Sequence, residues 1–137
     1  VGGTLSANPL SCAAGYFAIE EMERTNAAGL AGRAGDRLRQ GLEDIIQRLG
    51  LPFVTYNQGS IVHLETSAVM LLDFKNPIRL MREVKPRKHI MEEMGAAFMA
   101  QGIITLAGSR LYTSMADTDD VIDDALNRFE YVLSCCV

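Results

Sequence analysis

The stretch best suited to chemistry is the opening Gly2-Gly3-Thr4-Leu5-Ser6-Ala7-Asn8-Pro9. It combines a flexible glycine pair, two hydroxyl groups and a helix start, because Asn is a preferred N-cap and Pro suits the first helical position. Backbone N–H groups and a hydroxyl at a helix N-terminus can hold a phosphate, helped by the helix dipole. A capped helix behind a loose leader fits the same residues, so the pattern alone leaves both interpretations open.

Other potentially reactive side chains fit structural roles. His63 alternates with Val62 and Leu64 as a strand residue does, and we expect it to be structural or solvent-facing. His89 begins a helix, and Cys12 lies among alanines on a helix, which predicts packing for that thiol. No cluster of His, Cys and Asp has the spacing of metal ligands.

A basic segment, Lys85-Pro86-Arg87-Lys88, follows Arg79 and Arg82 and is a candidate phosphate or RNA contact. It is short, lacks interleaved aromatic residues and is followed by Glu92-Glu93. We therefore favour a solvated loop, with a nucleic-acid accessory domain as the alternative. The net charge of −4 and the pI of about 5.1 argue against a dedicated nucleic-acid binder.

Caps and apolar periodicity predict four helices. The first runs from Asn8-Pro9 to Thr25, and its first half is apolar nearly all round, so we expect it to be buried on several sides. The second is capped by Asn26 and ends at Gly50. Its apolar stripe consists of Leu38, Leu42, Ile45 and Leu49.

The third and fourth helices have weaker boundaries. Three apolar residues at helical spacing mark the third, which ends at Gly102: Ile90, Met94 and Phe98. Asp117 or Thr118 caps the last helix. Its stripe consists of Ile122, Leu126, Phe129 and Leu133.

Strands are predicted at 53–56, 61–64, 103–106 and 111–114, the first two joined by a turn at 57–60. Residues 65–88 are expected to form a long loop with one or two short helical turns. This order predicts an α+β fold. We expect a short, mostly antiparallel sheet with helices packed on one face, preceded by a long linking helix.

Length and composition bound the class of protein. A chain of 137 residues corresponds to one domain, and its 48% hydrophobic and 22% charged residues exclude intrinsic disorder. Three cysteines without framework spacing predict a reducing, cytoplasmic setting. No apolar stretch approaches the ~20 residues of a membrane span, and no signal peptide is visible. We expect neither a membrane nor a nucleic acid as a partner.

The opening motif resembles the class III pyridoxal-phosphate aminotransferases. Gly2-Gly3-Thr4-Leu5-Ser6-Ala7-Asn8-Pro9-Leu10 is similar to the Gly-Thr-Leu-Ser-Gly-Asn-Pro of the glutamate-1-semialdehyde aminomutase type. Three further stretches follow in the family's order: Gly59-Ser60-Ile61-Val62 resembles the small-domain hairpin, Gly102-Ile103-Ile104 the entry to an apolar strand, and 112–123 the C-terminal strand and acidic helix start. Residues 65–88 match nothing in the family.

This resemblance implies pyridoxal phosphate as cofactor and a homodimer. It implies that Thr4 contacts the cofactor phosphate of the neighbouring subunit, with the Gly3 backbone close by, and both are suitable donors to a dianion. In the family the lysine that binds the cofactor precedes the Gly-Thr motif, whereas the three lysines here, Lys75, Lys85 and Lys88, follow it. The resemblance divides the chain into a phosphate-contact segment with the linking helix (1–25) and the C-terminal small domain of a fold-type-I enzyme (26–137), without the cofactor-binding large domain.

Arg110, in Gly-Ser-Arg-Leu-Tyr, is the candidate substrate-binding residue that the resemblance suggests, since it lies near where the family's small domain faces substrate. A guanidinium suits a carboxylate because its fork binds both oxygens. The surrounding motif does not match the family residue by residue, so an ordinary surface arginine is the alternative.

The resemblance thus implies the C-terminal fragment of an aminotransferase or aminomutase that moves an amino group to or within a keto or aldehyde substrate. Without the lysine we expect no catalytic residue in this chain and no activity from it alone. The alternative is a stand-alone α+β interaction or oligomerisation module. Because the first helix links two domains in the family, we expect the chain either to dimerise or to leave residues 1–16 displaced.

Overall fold

The computed structural model describes residues 8–67 and 75–137. Within these ranges it contains four helices and one three-stranded sheet, which confirms the predicted α+β class. The elements in chain order are α1 (Pro9–Arg24), α2 (Ala27–Leu49), β1 (Val54–Gln58), β2 (Ile61–Glu65), α3 (Pro77–Ala100), β3 (Arg110–Tyr112) and α4 (Asp119–Ser134).

The sheet is antiparallel throughout, with the strand order β1-β2-β3. Because side chains alternate between the two faces of a strand, Val62, Leu64 and Leu111 point to one face, and all three are buried. Helices α2 and α4 pack together on that face, and α2 also contacts β1 and β2. Helices therefore cover one side of the sheet, as the sequence predicts.

The core lies between that face and the helices. The predicted apolar stripes of α2 and α4 supply most of it: Leu38, Leu42, Ile45, Ile122, Phe129 and Leu133 are buried, and Leu49 and Leu126 are partly buried. Among the α3 side chains that the structure describes, Phe98 alone is fully buried, and its ring meets that of Phe129 edge-on, with centroids 5.0 Å apart. Edge-to-face contact is a preferred arrangement for two aromatic rings.

Helix α1 is a correction to the sequence analysis. Its start is as predicted, since Asn8 Oδ1 accepts a hydrogen bond from the Leu10 N–H at 2.9 Å. None of its residues is buried, however, and Cys12, predicted to pack, is exposed. In the described part of the chain, no element covers its apolar side chains. Asn26 forms no side-chain cap for α2, because its φ of 51° places it in the turn that joins the two helices.

The predicted loop at 65–88 is also wrong over much of its length. Helix α3 begins at Pro77, and Asn76-Pro77 repeats the Asn8-Pro9 pairing that starts α1. The helix passes through Pro86, whose missing N–H removes one backbone hydrogen bond, so the proline does not end it. Residues 68–74 of the predicted loop lie outside the described part.

The predicted strand at 103–106 does not form. The backbone instead turns back on itself, because the Leu106 N–H donates to the Arg110 carbonyl at 2.7 Å and the Arg110 N–H donates to the Leu106 carbonyl at 3.1 Å. Ala107 and Gly108 both have positive φ, which gives the turn its direction. Leu106 is left as a single bridge to Arg110, and β3 takes the place of the predicted strand at 111–114.

Candidate functional site

The face of the sheet that points away from the helices is called here the open sheet face. It carries the alternate residues of the three strands: Val54, Tyr56, Gln58, Ile61, His63, Glu65, Arg110 and Tyr112. Val54, Tyr56, Ile61 and Tyr112 are all exposed on it, although they are large and hydrophobic. This face therefore combines apolar rings with charged and polar groups, which is a composition that suits recognition.

Arg110 lies on the open sheet face and is directly opposite His63 in the register of β3 with β2. The Thr113 N–H donates to the Ser60 carbonyl at 2.9 Å, and the Leu64 N–H donates to the Ser109 carbonyl at 2.8 Å. The residue pairs on either side of His63 and Arg110 are therefore hydrogen-bonded pairs. Because such pairs alternate along an antiparallel ladder, His63 and Arg110 form a non-hydrogen-bonded pair. Side chains of this kind of pair lie closest together, with α carbons about 4.5 Å apart.

His63 is fixed by its neighbour on the other side. Its ring stacks on Tyr56, with centroids 4.7 Å apart and planes only 6° from parallel. Tyr56 is also its register partner on β1. Tyr56, His63 and Arg110 thus form one row across the three strands, which is called here the cross-strand row.

The guanidinium of Arg110 forms no ion pair within the described residues. Other arginines are paired: Arg24–Glu21, Arg37–Asp123, Arg39–Glu43, Arg48–Glu130, Arg87–Glu83 and Arg128–Asp124. Arg33 and Arg82 also lack a described carboxylate partner, but both are exposed, whereas Arg110 is half-buried. The unpaired guanidinium of Arg110 is therefore available to an external anion.

The residues that the resemblance assigns to the cofactor phosphate, Gly3 and Thr4, lie outside the described part of the chain. The three lysines, Lys75, Lys85 and Lys88, are all exposed. The described residues therefore leave the cofactor contact a prediction from the resemblance.

The basic segment at 85–88 is helical, so its charges are arranged differently from those of a loop. Arg87 pairs with Glu83 at 2.7 Å and donates to the Ser67 carbonyl at 3.2 Å. Lys88 approaches Glu92 at 3.5 Å. These i,i+4 contacts neutralise much of the local positive charge along α3.

An apolar groove of about 380 Å³ lies between α3 and the segment 105–108. Its walls are mainly methyl, methylene and backbone groups, with Met91, Ala96 and Met99 on the helix side. Gly108 makes the close packing possible, because a β carbon there would lie 2.2 Å from the Met91 carbonyl oxygen. The sequence analysis missed this groove because it placed a strand at 103–106.

The described residues form neither a metal site nor a membrane-spanning helix. Residues 8–67 and 75–137 contain no group of three His, Cys, Asp or Glu side chains arranged to hold a metal ion. In the same ranges, no helix has the length and apolar character needed to cross a bilayer.

The fold is that of the C-terminal small domain of class III pyridoxal-phosphate enzymes. The chain superposes on an omega-transaminase from Sphaerobacter thermophilus with a TM-score of 0.75 and 20% sequence identity, covering 97% of this chain and 29% of that one. At this level of identity, the likeness establishes the fold alone.

Sequence comparison confirms the resemblance to the glutamate-1-semialdehyde aminomutase type. The chain is 33% identical over 131 residues to a glutamate-1-semialdehyde 2,1-aminomutase from Pyrobaculum neutrophilum, which covers 93% of this chain and 29% of that enzyme. A Desulfitobacterium hafniense enzyme of the same name is 29% identical over 136 residues, covering 96% of this chain and 30% of the enzyme. No protein-family profile matches the sequence.

The similarity falls on one part of these relatives. It is homologous to the C-terminal part of the glutamate-1-semialdehyde 2,1-aminomutases. It spans about 29% of the length of the first relatives that it matches.

Proposed function

We propose that this chain acts as the C-terminal domain of a pyridoxal-phosphate enzyme that transfers an amino group to or within a keto or aldehyde substrate. The observation that carries the proposal is homology along 93% of the chain to one contiguous part of an aminomutase. A fold shared with a transaminase supports it. The cofactor, when bound, supplies the electron sink for chemistry at the substrate carbon.

In this proposal the domain binds and orients, while the reacting groups lie elsewhere in the enzyme. Arg110 recognises a substrate carboxylate, because this half-buried residue lies on the open sheet face and pairs with no described carboxylate. Gly3 and Thr4 hold the cofactor phosphate of the neighbouring subunit in a homodimer, which remains a prediction from the resemblance. The chain alone is inactive, since none of its lysines has the family's position.

A stand-alone oligomerisation module is the second candidate, and one observation favours it. Helix α1 presents Leu10, Phe17 and Ile19 to solvent at 80%, 65% and 60% exposure. A second copy could cover these side chains without any catalysis. The same exposed side chains would also fit contact with another domain of a longer enzyme. An activity assay must therefore distinguish the oligomerisation module from the enzyme domain.

The test is an amino-transfer assay on the gene product purified from its own cells. Candidate substrates are glutamate 1-semialdehyde, for which the relatives are named, and an amine with a keto acid acceptor, each with ¹⁵N in the amino group. We expect ¹⁵N in the product. Arg110→Gln should raise KM about tenfold or more, because a charge-assisted contact is lost, while the exposed Arg33→Gln serves as the matched control. If no ¹⁵N-labelled amino product forms with any substrate, the oligomerisation module becomes the better account.

A further inference from the structure

We propose that His63 is the second contact of a carboxylate site whose first contact is Arg110. The inference rests on the proposed function, because it concerns the ligand of the same residue. The chemical class of ligand is an organic carboxylate bound across the cross-strand row. Three features of the described structure support this, namely register, ring orientation and the absence of competing acceptors.

Register brings the two donors together. His63 and Arg110 occupy a non-hydrogen-bonded pair on the open sheet face, where opposing side chains lie closest. An Arg fork engages both oxygens of a carboxylate, and an imidazole N–H beside it can reach one of them. An imidazole keeps at least one N–H in either protonation state, so this contact does not depend on a charged histidine.

Ring orientation restricts where His63 can donate. The parallel stack on Tyr56 covers one face of the imidazole and holds its plane parallel to the tyrosine ring. A ring held this way loses little rotational freedom when a ligand binds, which favours affinity. Tyr56 is thereby a positioning residue, since it acts on the ligand through His63.

No described acidic group occupies the site. Arg110 forms no ion pair in the described part of the chain, although it is half-buried. Glu65 lies two residues along β2 on the same face, but its Oε1 already accepts the Ser67 N–H at 3.0 Å. An external carboxylate satisfies both donors.

The experiment is an NMR titration of the 137-residue chain with glutarate, and inorganic phosphate is a separate arm. The chain has only two histidines, so His89, on α3 and paired with Glu93, is an internal control. We expect the His63 Cε1 and Arg110 Nε signals to shift with one common saturation curve, while His89 does not move. Arg110→Gln should weaken glutarate binding about tenfold or more, and Arg33→Gln should leave it unchanged.

The variant that isolates His63 is His63→Phe, because phenylalanine preserves the stack on Tyr56 and the strand but removes both ring nitrogens. We expect it to weaken glutarate binding several-fold while the dispersed spectrum of the folded chain is retained. Binding equal to wild type in this variant would overturn the role of His63 and leave that of Arg110 intact. Phosphate binding as tightly as glutarate would overturn the carboxylate assignment. If the His63 and Arg110 signals do not shift with either anion, the carboxylate site is overturned. The proposed function would still be decided separately by the amino-transfer assay.

Discussion

Gly35 of α2 lies against Gly59 in the turn between β1 and β2, so closely that a β carbon on Gly35 would be 2.3 Å from the Gly59 carbonyl oxygen. Three glycines, Gly29, Gly32 and Gly35, occupy the first half of a helix whose formation they do not favour. The close contact with Gly59 explains why residue 35 is a glycine. A methyl group there would push the hairpin away from the helix that forms the core with it.

Gly35→Ala should therefore destabilise the domain by about 1–3 kcal/mol, the usual cost of overpacking, despite the higher helix propensity of alanine. Gly15→Ala is the matched control, because nothing lies within 4 Å of its β-carbon position on the exposed helix α1. It should be neutral or stabilising by up to about 1 kcal/mol. Urea unfolding of both variants measures the difference, and equal stability would contradict the close approach.

One Thr→Val substitution should have opposite effects at two positions. Thr113 Oγ1, just after β3, donates to the Ala31 carbonyl of α2 at 2.7 Å, whereas the buried Thr66 Oγ1 has no hydrogen-bond partner among the described residues. Thr113→Val should cost about 1 kcal/mol, because it removes a side-chain hydrogen bond to α2. Thr66→Val should be neutral or stabilising, since it removes a buried hydroxyl that gains nothing. The sign of each stability change is measured by thermal unfolding. The control Thr113→Ser keeps the hydroxyl, so its unfolding temperature should be close to that of the wild type.

Glu21 should titrate below its ordinary range, because hydrogen bonds from Arg24 lower the pKa of its carboxyl. Arg24 Nε donates to Glu21 Oε2 at 2.7 Å on the exposed face of α1. A depressed folded-state pKa gives stability that is present above the unfolded pKa and is lost as the pH falls through the folded pKa. In Arg24→Gln the pKa of the Glu21 carboxyl, measured by ¹³C NMR, should be higher than in the wild type. Added salt should reduce the difference in this pKa between the two proteins. An unchanged titration would show that the pair does not form in solution.

The fold was predictable wherever periodicity or an end signal is local. The stripes of α2 and α4 repeat at helical spacing, and their residues form the core. The strand predicted at 103–106 failed because two successive positive-φ residues, Ala107 and Gly108, reverse the chain immediately after it. The loop predicted at 65–88 is wrong because helix α3 begins at Pro77, after the same Asn-Pro pairing that starts α1.

The candidate site was predictable only in part. Arg110 is a candidate from its chemistry and its place in the resemblance, whereas the sequence predicts that its neighbour His63 is structural or solvent-facing. His63 and Arg110 lie 47 residues apart in the chain. A shift of the strand register by one residue would move each side chain to the other face of the sheet. No local signal carries that register. Gly3 and Thr4 lie outside the described residues, so their roles remain predictions.

The most direct test of the central claim is the intact mass of the gene product isolated from its own cells, measured together with its cofactor absorbance. The account predicts a chain of roughly three times this length, as in the relatives of which it spans 29%, carrying bound pyridoxal phosphate. A product of 15.0 kDa without that absorbance would contradict it.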